Sequence, residues 1–456
     1  MLEDSHIPFV DSCSYPPRAG NQVRPLVDGV PAFRRIATAV AAAHHSVWLT
    51  VTFCAPDFRM PDSDDSLFDV LDRAVERGLD VRALIWRPNE ESIGYGRTFA
   101  GLPEERALLA ARESRFRIRW DRAFGPFCQH QKSWLIDAGQ ASETTFVGGM
   151  NVTTFAMGSP GHLNEGERHD IYAEVSGPSA TDVHHNFVQR WNEASERAAA
   201  DGTWGHDGND DLRFPAQLSA PRGDSIVQIQ RMIHPGRYHD PHPSPDSRAH
   251  DIAGGETSIL AQYLAAIGAA RRTIYIENQA IPIPMVATAL EQALARGVQV
   301  IVLVPADPEQ HVRLGRRNPE RKPLFDGVAA LGRHENFTLA GIAGPDAQGG
   351  RSNIYVHGKI MLIDDAWATI GSCNLHAFSL TGHSEMNAAI WDAAVVRALR
   401  CELFAEHLGR NTAGLDDRGA LALYGEIARA NRRRHDAGDF QWQGLAFSLD
   451  PAAYGE

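Results

Sequence analysis

Apolar and polar residues follow the same order of patterns in the two halves of this chain. Residues 33–53 contain an amphipathic helical stretch followed by a short apolar strand, and residues 258–279 repeat that order. The apolar helical positions are Phe33, Ile36, Ala37 and Val40 in the first half and Ile259, Leu260, Tyr263, Leu264 and Ile267 in the second. The predicted strands are residues 47–51 and 273–277.

A second helix and strand follow in each half. The helix from Leu67 to Gly78 precedes a strand at 81–86, and the helix from Val286 to Gly297 precedes a strand at 300–304. Each helix ends at a glycine, the residue that most easily adopts the left-handed conformation of a helix C-terminus. Strand–helix–strand units of this length predict an α/β fold, with a mixed, mostly parallel sheet flanked by helices in each half.

Two independent features recur at one spacing, which indicates an internal duplication. His130 and His357 are 227 positions apart, and so are Trp48 and Tyr275. Each repeat has the length of one domain. The predicted organisation is an N-terminal extension (1–24), a first lobe (25–200), a linker and loop (201–257), a second lobe (258–410) and a C-terminal tail (411–456).

Composition narrows the class of protein. The 456 residues carry a formal net charge of −13, so the chain lacks the broad basic field of unspecific nucleic-acid binding, and we expect no nucleic-acid partner. Five scattered cysteines predict neither a disulfide framework nor a cysteine zinc site, and the irregularly spaced histidines of the linker match no ligand pattern. We therefore predict no metal and no cofactor.

Targeting signals are not visible in the sequence. The N-terminus has no basic segment followed by an apolar one, and no run approaches the roughly 18 apolar residues of a membrane-spanning helix. The expectation is a cytoplasmic protein, with export by a signal-less route left open.

Each half carries one copy of a motif whose side chains are suited to catalysis. The pattern is His-x-Lys, four residues, Asp, and then a strand and a glycine-containing turn that ends in Asn. Its members are His130, Lys132, Asp137 and Gly148-Gly149-Met150-Asn151 in the first half and His357, Lys359, Asp364 and Gly371-Ser372-Cys373-Asn374 in the second.

This spacing suits an anionic substrate. Residues i and i+2 of a strand face the same side, so each histidine and its lysine project into one space. Glycines allow the backbone to approach a bulky anion, while Asn151, Asn374 and Ser372 supply neutral donors. Two such half-sites together form a pocket for a phosphodiester, in which one imidazole attacks phosphorus and the other protonates the leaving oxygen.

The paired motifs resemble those of the phospholipase D superfamily, and the resemblance extends over about residues 25–410. Arg168-His169-Asp170-Ile171-Tyr172 and the following stretch to Trp191 are similar to the segment after the first motif in eukaryotic-type phospholipases D. Tyr275-Ile276-Glu277-Asn278-Gln279 is similar to a further segment of those enzymes. The resemblance implies two pseudo-two-fold-related α/β/α lobes with one active site at their interface.

The resemblance also implies roles for individual residues. His130 is the expected nucleophile, forming a phosphohistidine, and His357 the expected general acid and then base. Lys132, Lys359, Asn151, Asn374 and Ser372 are expected to bind phosphate, and Asp170 and Glu385 are the carboxylates expected behind the histidines. Asp137 and Asp364 complete the catalytic motifs, but we expect them to orient neighbouring groups rather than touch substrate.

Several activities fit such a site. The leading interpretation is a phospholipase D that releases phosphatidic acid and a head-group alcohol, with transphosphatidylation when an alcohol outcompetes water. Gly149 in place of the serine of the second motif favours that interpretation over a nuclease. The alternatives are a cardiolipin synthase-like phosphatidyltransferase, a nuclease or other phosphodiesterase, and a catalytically dead scaffold. We expect a phospholipid substrate, peripheral membrane contact and a monomer, since both motifs lie in one chain.

Overall fold

A computed structural model describes residues 5–11, 13–164, 166–197 and 210–456. Parts of the predicted N-terminal extension and of the predicted linker, including residues 201–209, lie outside these ranges. The boundaries of the five predicted segments therefore stay a prediction.

The first half contains eight strands and four α-helices in its described residues. They are β1 (Arg18–Val27), α1 (Gly29–Ala42), β2 (Ser46–Val51), α2 (Leu67–Glu76), β3 (Asp80–Trp86), α3 (Pro103–Ala111), β4 (Arg117–Asp121), β5 (Ser133–Ile136), β6 (Thr144–Gly148), β7 (Arg168–His169), β8 (Ile171–Ser176) and α4 (Ala180–Asn192).

The second half has a corresponding series and a C-terminal addition. It consists of β9 (Ser225–Ile233), β10 (Glu256–Thr257), α5 (Ser258–Ala269), β11 (Thr273–Glu277), α6 (Pro284–Ala295), β12 (Gln299–Leu303), α7 (Gln310–Arg316), α8 (Lys322–Leu331), β13 (Phe337–Pro345), β14 (Arg351–Val356), β15 (Ile360–Ile363), β16 (Trp367–Gly371), α9 (Ala377–Thr381), β17 (Glu385–Trp391), α10 (Ala393–Leu408), α11 (Asp417–Asp436) and β18 (Ala446–Ser448).

The two halves form sheets with the same strand order. The first sheet is β4-β3-β2-β5-β6-β8-β1, and the second is β13-β12-β11-β15-β16-β17-β9. The predicted α/β fold with two pseudo-two-fold-related lobes is confirmed.

The parallel share of each sheet is smaller than the sequence analysis predicts. Within the described part of these two sheets, parallel pairing joins β2, β3 and β4, and likewise β11, β12 and β13. Outside these sheets, the short strand β7 pairs in parallel with β14 of the other lobe. The strand that follows each motif turns back through a short hairpin, β5 to β6 and β15 to β16, and therefore pairs antiparallel. Each sheet is thus mixed, with parallel pairing only where a helix crosses over between strands.

Local signals at the helix ends match the structure. Ser66 and Asp69 form a reciprocal capping box at the start of α2, with hydrogen bonds of 3.2 and 2.8 Å. Gly78 and Gly297, predicted to terminate α2 and α6, have φ angles of 85° and 86°. Side chains with a Cβ are strained in that conformation, so glycine allows the chain to turn directly into the next strand.

The two sheets are held together by backbone pairing and by a shared core. β1 pairs antiparallel with β9, so Arg18 lies opposite Val227 and Asn21 opposite Ser225. A separate apolar core lies within each lobe, and a third is shared by both sheets. The shared core includes Val147 and Ile229. Burial of this apolar surface fixes the lobes face to face.

Segments that the sequence analysis placed outside the lobes contribute to the second lobe. β9, within the predicted linker, pairs with β17 along its length. β18, within the predicted tail, pairs with β13, while Leu421 and Tyr424 of α11 are buried in the shared core. Among the described residues, no helix has the length and apolarity needed to cross a bilayer.

The packing of α11 predicts that the C-terminal helix stabilises the second lobe. Leu421 is 3% exposed, so Leu421→Ala should lower the free energy of unfolding by about 2–5 kcal/mol through lost burial and a new cavity. Leu415, which is 37% exposed, provides a matched Leu→Ala control that we expect to change stability by at most about 0.5 kcal/mol. Urea unfolding followed by tryptophan fluorescence measures both. Equal effects of the two substitutions would contradict this packing.

Candidate active site

The two motifs place their basic side chains just before strands that occupy equivalent positions in the two sheets. His130 and Lys132 precede β5, and His357 and Lys359 precede β15. Lys132 Nζ donates a hydrogen bond of 2.7 Å to the carbonyl oxygen of His130, and Lys359 does the same to His357. All four side chains are buried. The two half-sites therefore have the same internal geometry.

The two half-sites meet in one pocket between the lobes. The charge of Lys132, in the first lobe, depresses the pKa of His357, in the second, and Lys359 acts on His130 in the same way. These effects operate only over short distances in a protein interior. The two half-sites thus lie together at the lobe interface, and that they act as a single active site stays a prediction.

Each histidine is held by a carboxylate of the opposite lobe. His130 Nδ1 lies 2.9 Å from Glu385 Oε2, and His357 Nδ1 lies 2.5 Å from Asp170 Oδ2. We refer to these two contacts as the crossed pairs. Asp170 and Glu385 therefore lie behind the histidines as predicted from the resemblance, but each one orients the ring of the other motif.

The backbone repeats this exchange between the lobes. His130 N–H donates to the carbonyl of Ser384, the residue before Glu385, at 2.8 Å. His357 N–H donates to the carbonyl of His169, the residue before Asp170, also at 2.8 Å. Both the ring and the backbone of each motif histidine are thus positioned from the other lobe. Neither half-site has this geometry in an isolated lobe.

The hydrogen bonds of His130 define its tautomer. Its Nδ1 also lies 3.1 Å from the carbonyl oxygen of Ser372, which can only accept, so Nδ1 carries the proton. Glu385 is itself fixed by the hydroxyls of Ser372 and Ser379, at 2.5 and 2.6 Å. The Nε2 lone pair of His130 is therefore free for nucleophilic attack.

Ser372 does not have the position that its predicted phosphate-binding role requires. Its hydroxyl donates to Glu385 and accepts from the backbone N–H of Met386 at 3.1 Å. Because both hydrogen-bonding directions of the hydroxyl are engaged, Ser372 supports the carboxylate behind His130 instead of facing the substrate.

Gly149 is the counterpart of Ser372 in the first lobe. Because it has no side chain, it leaves room for the carboxylate of Asp170. A Cβ at this position would lie 2.4 Å from Asp170 Oδ1. The carboxylate of Asp170 therefore approaches the backbone at a point where the second lobe has room for a serine. The glycine and the shorter aspartate occur together, as do the serine and the longer glutamate.

Asn151 and Asn374 lie at the ends of the turns that face the pocket. Asn151 Oδ1 accepts from Phe53 N–H at 3.2 Å, and its Nδ2 has no hydrogen-bond partner among the described residues. Asn374 Nδ2 lies 3.4 Å from His376 Nε2, and its Oδ1 is buried without a partner. Each side chain thus retains hydrogen-bonding capacity that a phosphate and an acceptor hydroxyl can use.

Burial shifts the pKa values of the charged groups in the pocket. It lowers the pKa of Lys132 to about 8 and that of Lys359 to about 7. It also raises the pKa of Asp170 to about 7 and that of Glu385 above its usual range. The pocket therefore solvates its charges poorly, and a bound phosphate anion would stabilise both ammonium groups.

Burial has the corresponding effect on the two imidazoles. Together with the nearby lysines, it holds the pKa values of His130 and His357 well below the usual range. Both rings are therefore neutral at neutral pH. A neutral ring is the form that a nucleophile requires, and an anionic substrate favours the protonated form of the second ring.

Asp137 and Asp364 lie at the far ends of β5 and β15, away from the crossed pairs. Asp137 Oδ1 accepts the backbone N–H groups of residues 44–46 at 2.9, 2.7 and 3.3 Å. Asp364 accepts those of residues 271–273 at 2.7 to 2.8 Å. Both carboxylates thus fix the turn that leads into the neighbouring strand, which agrees with the orienting function expected for them.

Sequence reasoning missed several residues around the pocket. The rings of His383 and His130 lie 5.7 Å apart, and the Arg168 guanidinium lies over the rings of Phe155 and Tyr355. The Tyr355 ring is in turn 6.4 Å from that of His357. Arg168 lies two residues before Asp170, within a segment already singled out, and this proximity is the signal that could have identified it.

Comparisons with known proteins agree with this geometry. A family model described as "Cardiolipin synthase, PLD-like domain" matches residues 263–407, and one described as "Phospholipase D" matches residues 164–282. A crystal structure of phosphatidylserine synthase from Haemophilus influenzae matches 91% of this chain and 94% of its own, with a TM-score of 0.53 and 12% identity, and supports the fold alone.

Curated relatives are distant in sequence. Cardiolipin synthase B of Salmonella typhimurium is 25% identical over 85% of this chain and 80% of its own length. Cardiolipin synthase 1 of Staphylococcus epidermidis is 23% identical over 75% of this chain, and the match spans only 60% of that protein. Phospholipase D A of Dictyostelium discoideum is 23% identical over 87% of this chain and 36% of its own length.

The contact between Gly149 and Asp170 predicts that a single methyl group disrupts the second half-site. In Gly149→Ala the new Cβ should displace Asp170 and thereby the ring of His357, and a shift of about 1 Å costs roughly 10²-fold in rate. Gly268→Ala is the control, because a Cβ there has no neighbour within 4 Å. Turnover of bis(4-nitrophenyl) phosphate measures both variants. Full activity of Gly149→Ala would contradict the prediction, because it would mean that turnover does not require Asp170 in the position seen here.

Proposed function

The chain belongs to the phospholipase D superfamily, whose enzymes act on phosphodiesters, and on that premise we propose that it is a phosphatidyltransferase. It moves the phosphatidyl group of a glycerophospholipid through a phosphohistidine to an alcohol acceptor, as the name cardiolipin synthase implies for its relatives. The observation that carries the proposal is the pair of buried histidines, each held through Nδ1 by a carboxylate of the other lobe.

The first half-reaction uses the two histidines in opposite senses. His130 Nε2 attacks phosphorus and forms an N–P bond while the P–O bond to the leaving alcohol breaks. His357, protonated in the complex with the anionic substrate, gives its Nε2 proton to the leaving oxygen. Glu385 stabilises the positive charge that develops on His130 as the new bond forms.

The second half-reaction reverses these steps. The acceptor hydroxyl transfers its proton to His357 Nε2, its oxygen attacks phosphorus, and the N–P bond to His130 breaks. Lys132 and Lys359 neutralise the charge of the phosphoryl oxygens during both steps, and the amide of Asn151 donates a hydrogen bond to them. Removal of one preorganised donor of this kind typically costs about 10²–10³-fold in rate.

The burial of the site favours an alcohol over water as the acceptor. His130 and His357 are each 6% exposed, and the two lysines are almost fully buried. A pocket that excludes bulk water protects a covalent intermediate from hydrolysis until an acceptor arrives. The curated cardiolipin synthases support the same alternative, ahead of the phospholipase D interpretation.

Aromatic residues on both sides of the pocket support a lipid substrate. On the His130 side, Tyr95 and Phe378 contact the ring of His383 and are 40% and 38% exposed. On the His357 side, Phe155 is 57% exposed and packs on Arg168. Exposed aromatic side chains around a charged pocket suit acyl chains and a bilayer surface, which supports peripheral membrane contact.

Hydrolysis is the second candidate function. Dictyostelium Phospholipase D A is among the relatives, and the chemistry differs only in whether water or an alcohol takes the phosphatidyl group. Lipid mass spectrometry distinguishes the two. Vesicles of phosphatidylglycerol incubated with the protein should yield glycerol and a dimeric phospholipid for transfer, or glycerol and phosphatidic acid for hydrolysis.

The assigned roles predict where the covalent intermediate forms. We expect His357→Ala, given a phosphatidyl ester of 4-nitrophenol, to accumulate a phosphatidyl adduct on His130. The 4-nitrophenolate leaves without a proton, so the adduct forms, but its transfer to an acceptor lacks the general base His357. His130→Ala should form no adduct, and His45→Ala, an exposed control, should turn over normally. Peptide mass spectrometry locates the adduct. An adduct on His357 of His130→Ala would reverse the two roles.

The lysine pKa values predict the alkaline limb of the pH profile. Raising the pH through about 7 to 8 deprotonates Lys359 and Lys132 in the free enzyme and removes the charges that bind phosphate. Therefore kcat/KM should begin to fall above about pH 7, where Lys359 loses its charge, while the low pKa of His130 should preserve activity below pH 6.5.

Lys359→Arg tests this assignment, since a guanidinium stays charged over the whole range. The alkaline limb of Lys359→Arg should move upward to that of Lys132. A kcat/KM that is constant from pH 7 to 10 in the wild type, or an unchanged limb in Lys359→Arg, would be incompatible with the prediction.

A further inference from the structure

A second group of titratable side chains is buried beside the active site and takes no part in the proposed reaction. We call it the His169 cluster. Its members come from the loop before α1, the loop before β7, β7 itself, β11 and α10, and they are Asp28, His162, His169, Glu277, Glu406 and His407.

Four of these side chains converge on one point. Ligand atoms of Asp28, His162, His169 and Glu406 all lie within 4.8 Å of one another. His162 Nε2 is 3.4 Å from Asp28 Oδ2, 3.4 Å from His169 Nδ1 and 3.6 Å from Glu406 Oε1. Tetrahedral zinc with bonds of about 2.0–2.2 Å places its ligand atoms about 3.3–3.6 Å apart. The three distances from His162 Nε2 match the edges of such a tetrahedron, whereas His169 Nδ1 lies 2.8 Å from Asp28 Oδ1 and would exchange that hydrogen bond for the ion.

Hydrogen bonding within the protein leaves part of the cluster unsatisfied. Asp28 is 0% exposed, yet its Oδ2 makes no hydrogen bond, even to the nearby His162 Nε2. His407 Nε2 is likewise buried without a partner. An unpaired carboxylate oxygen in a protein interior is costly unless a cation or a donor satisfies it.

The cluster is rich in carboxylates. Those of Asp28, Glu277 and Glu406 lie among its three histidines. Among the described residues, no lysine or arginine pairs with any of the three carboxylates.

The histidines also have the outer contacts typical of metal ligands. His169 Nε2 lies 3.0 Å from Glu277 Oε2, and His162 Nδ1 lies 3.8 Å from Glu167 Oε2. Histidines that bind a metal through one ring nitrogen usually place the other against a carboxylate or carbonyl, which fixes the tautomer. A surface cavity is lined by His162 and Glu167, so it adjoins one edge of the cluster.

We propose that Asp28, His162, His169 and Glu406 bind one divalent transition-metal ion of the zinc class in four-coordinate geometry. Two imidazoles and two carboxylates are a donor set that Zn²⁺ accepts. The site would revise the prediction of no metal, which rested on cysteine spacing and on the histidines of the linker. Those criteria do not detect ligands spread over positions 28 to 406 of the chain.

The ion would be structural, because it touches neither substrate nor the catalytic histidines. Asp28, His162 and His169 belong to the first lobe and Glu406 to the second, so the ion would link the lobes. The carbonyl of His169 accepts from both His357 N–H and Gly358 N–H, at 2.8 and 3.0 Å. Fixing His169 would therefore fix the backbone of the second motif.

Metal analysis of the full-length protein tests the site. The protein is stripped with a chelator, loaded with Zn²⁺, passed through a desalting column and measured by plasma mass spectrometry. We expect one zinc per chain, a rise in Tm on loading and, with Co²⁺, the intense visible absorption of four-coordinate Co(II). Less than 0.1 equivalent of zinc in the wild type, or a weak six-coordinate cobalt spectrum, would overturn the proposal.

Ligand variants locate the bound ion. His162→Gln and the less buried Glu406→Gln should each weaken zinc binding at least tenfold. His184→Gln, which alters a buried histidine paired with Glu143 outside the cluster, should bind as the wild type does. If both ligand variants retain wild-type affinity, the ion binds elsewhere and the proposal is wrong. The cobalt spectrum of the wild type decides the matter if neither variant folds.

Discussion

The active site depends on the exchange of carboxylates between the lobes. A buried imidazole that must carry charge during a reaction needs a compensating carboxylate, and here each carboxylate belongs to the other half of the chain. The shared apolar core and the pairing of β1 with β9 bring the partners together. Catalysis and lobe docking thus rest on the same contacts, since separating the lobes would leave two buried carboxylates and two imidazoles unpaired.

The duplicated halves have diverged in ways that keep this exchange intact. In the first lobe a glycine accompanies a short carboxylate, and in the second a serine accompanies a longer one. The residue between His and Lys differs as well. Gln131 hydrogen-bonds to Asn186, whereas Gly358 leaves space for Glu277, whose carboxylate would lie 3.0 Å from a Cβ there. The His169 cluster therefore occurs on one side of the pseudo-two-fold axis and breaks the symmetry of the pocket surroundings.

Local patterns were sufficient to predict much of this structure. The periodicity around Trp48 and Tyr275, together with the spacing from His130 to His357, predicts both the duplication and the common pocket. What local patterns cannot predict are pairings over long separations. The crossed pairs join residues 255 and 187 positions apart, and no periodicity records which carboxylate faces which ring. The same limit explains why the sequence analysis wrongly assigns Ser372 to phosphate binding. Its contact with Glu385 depends on how β16 and β17 pair, which the sequence does not reveal.

The pairing of β1 with β9 also bears on how the protein moves. Many two-lobed enzymes open by bending at a flexible connection. Here the edge strand β1 of one lobe pairs with the edge strand β9 of the other, and a hinge motion between the lobes would break that pairing. The loops around the pocket are then the segments left to open it. Under the proposed function, a substrate with two acyl tails would reach phosphorus from outside a body that does not hinge, so the release of a lipid product into the bilayer would depend on loop rearrangement rather than on separation of the lobes.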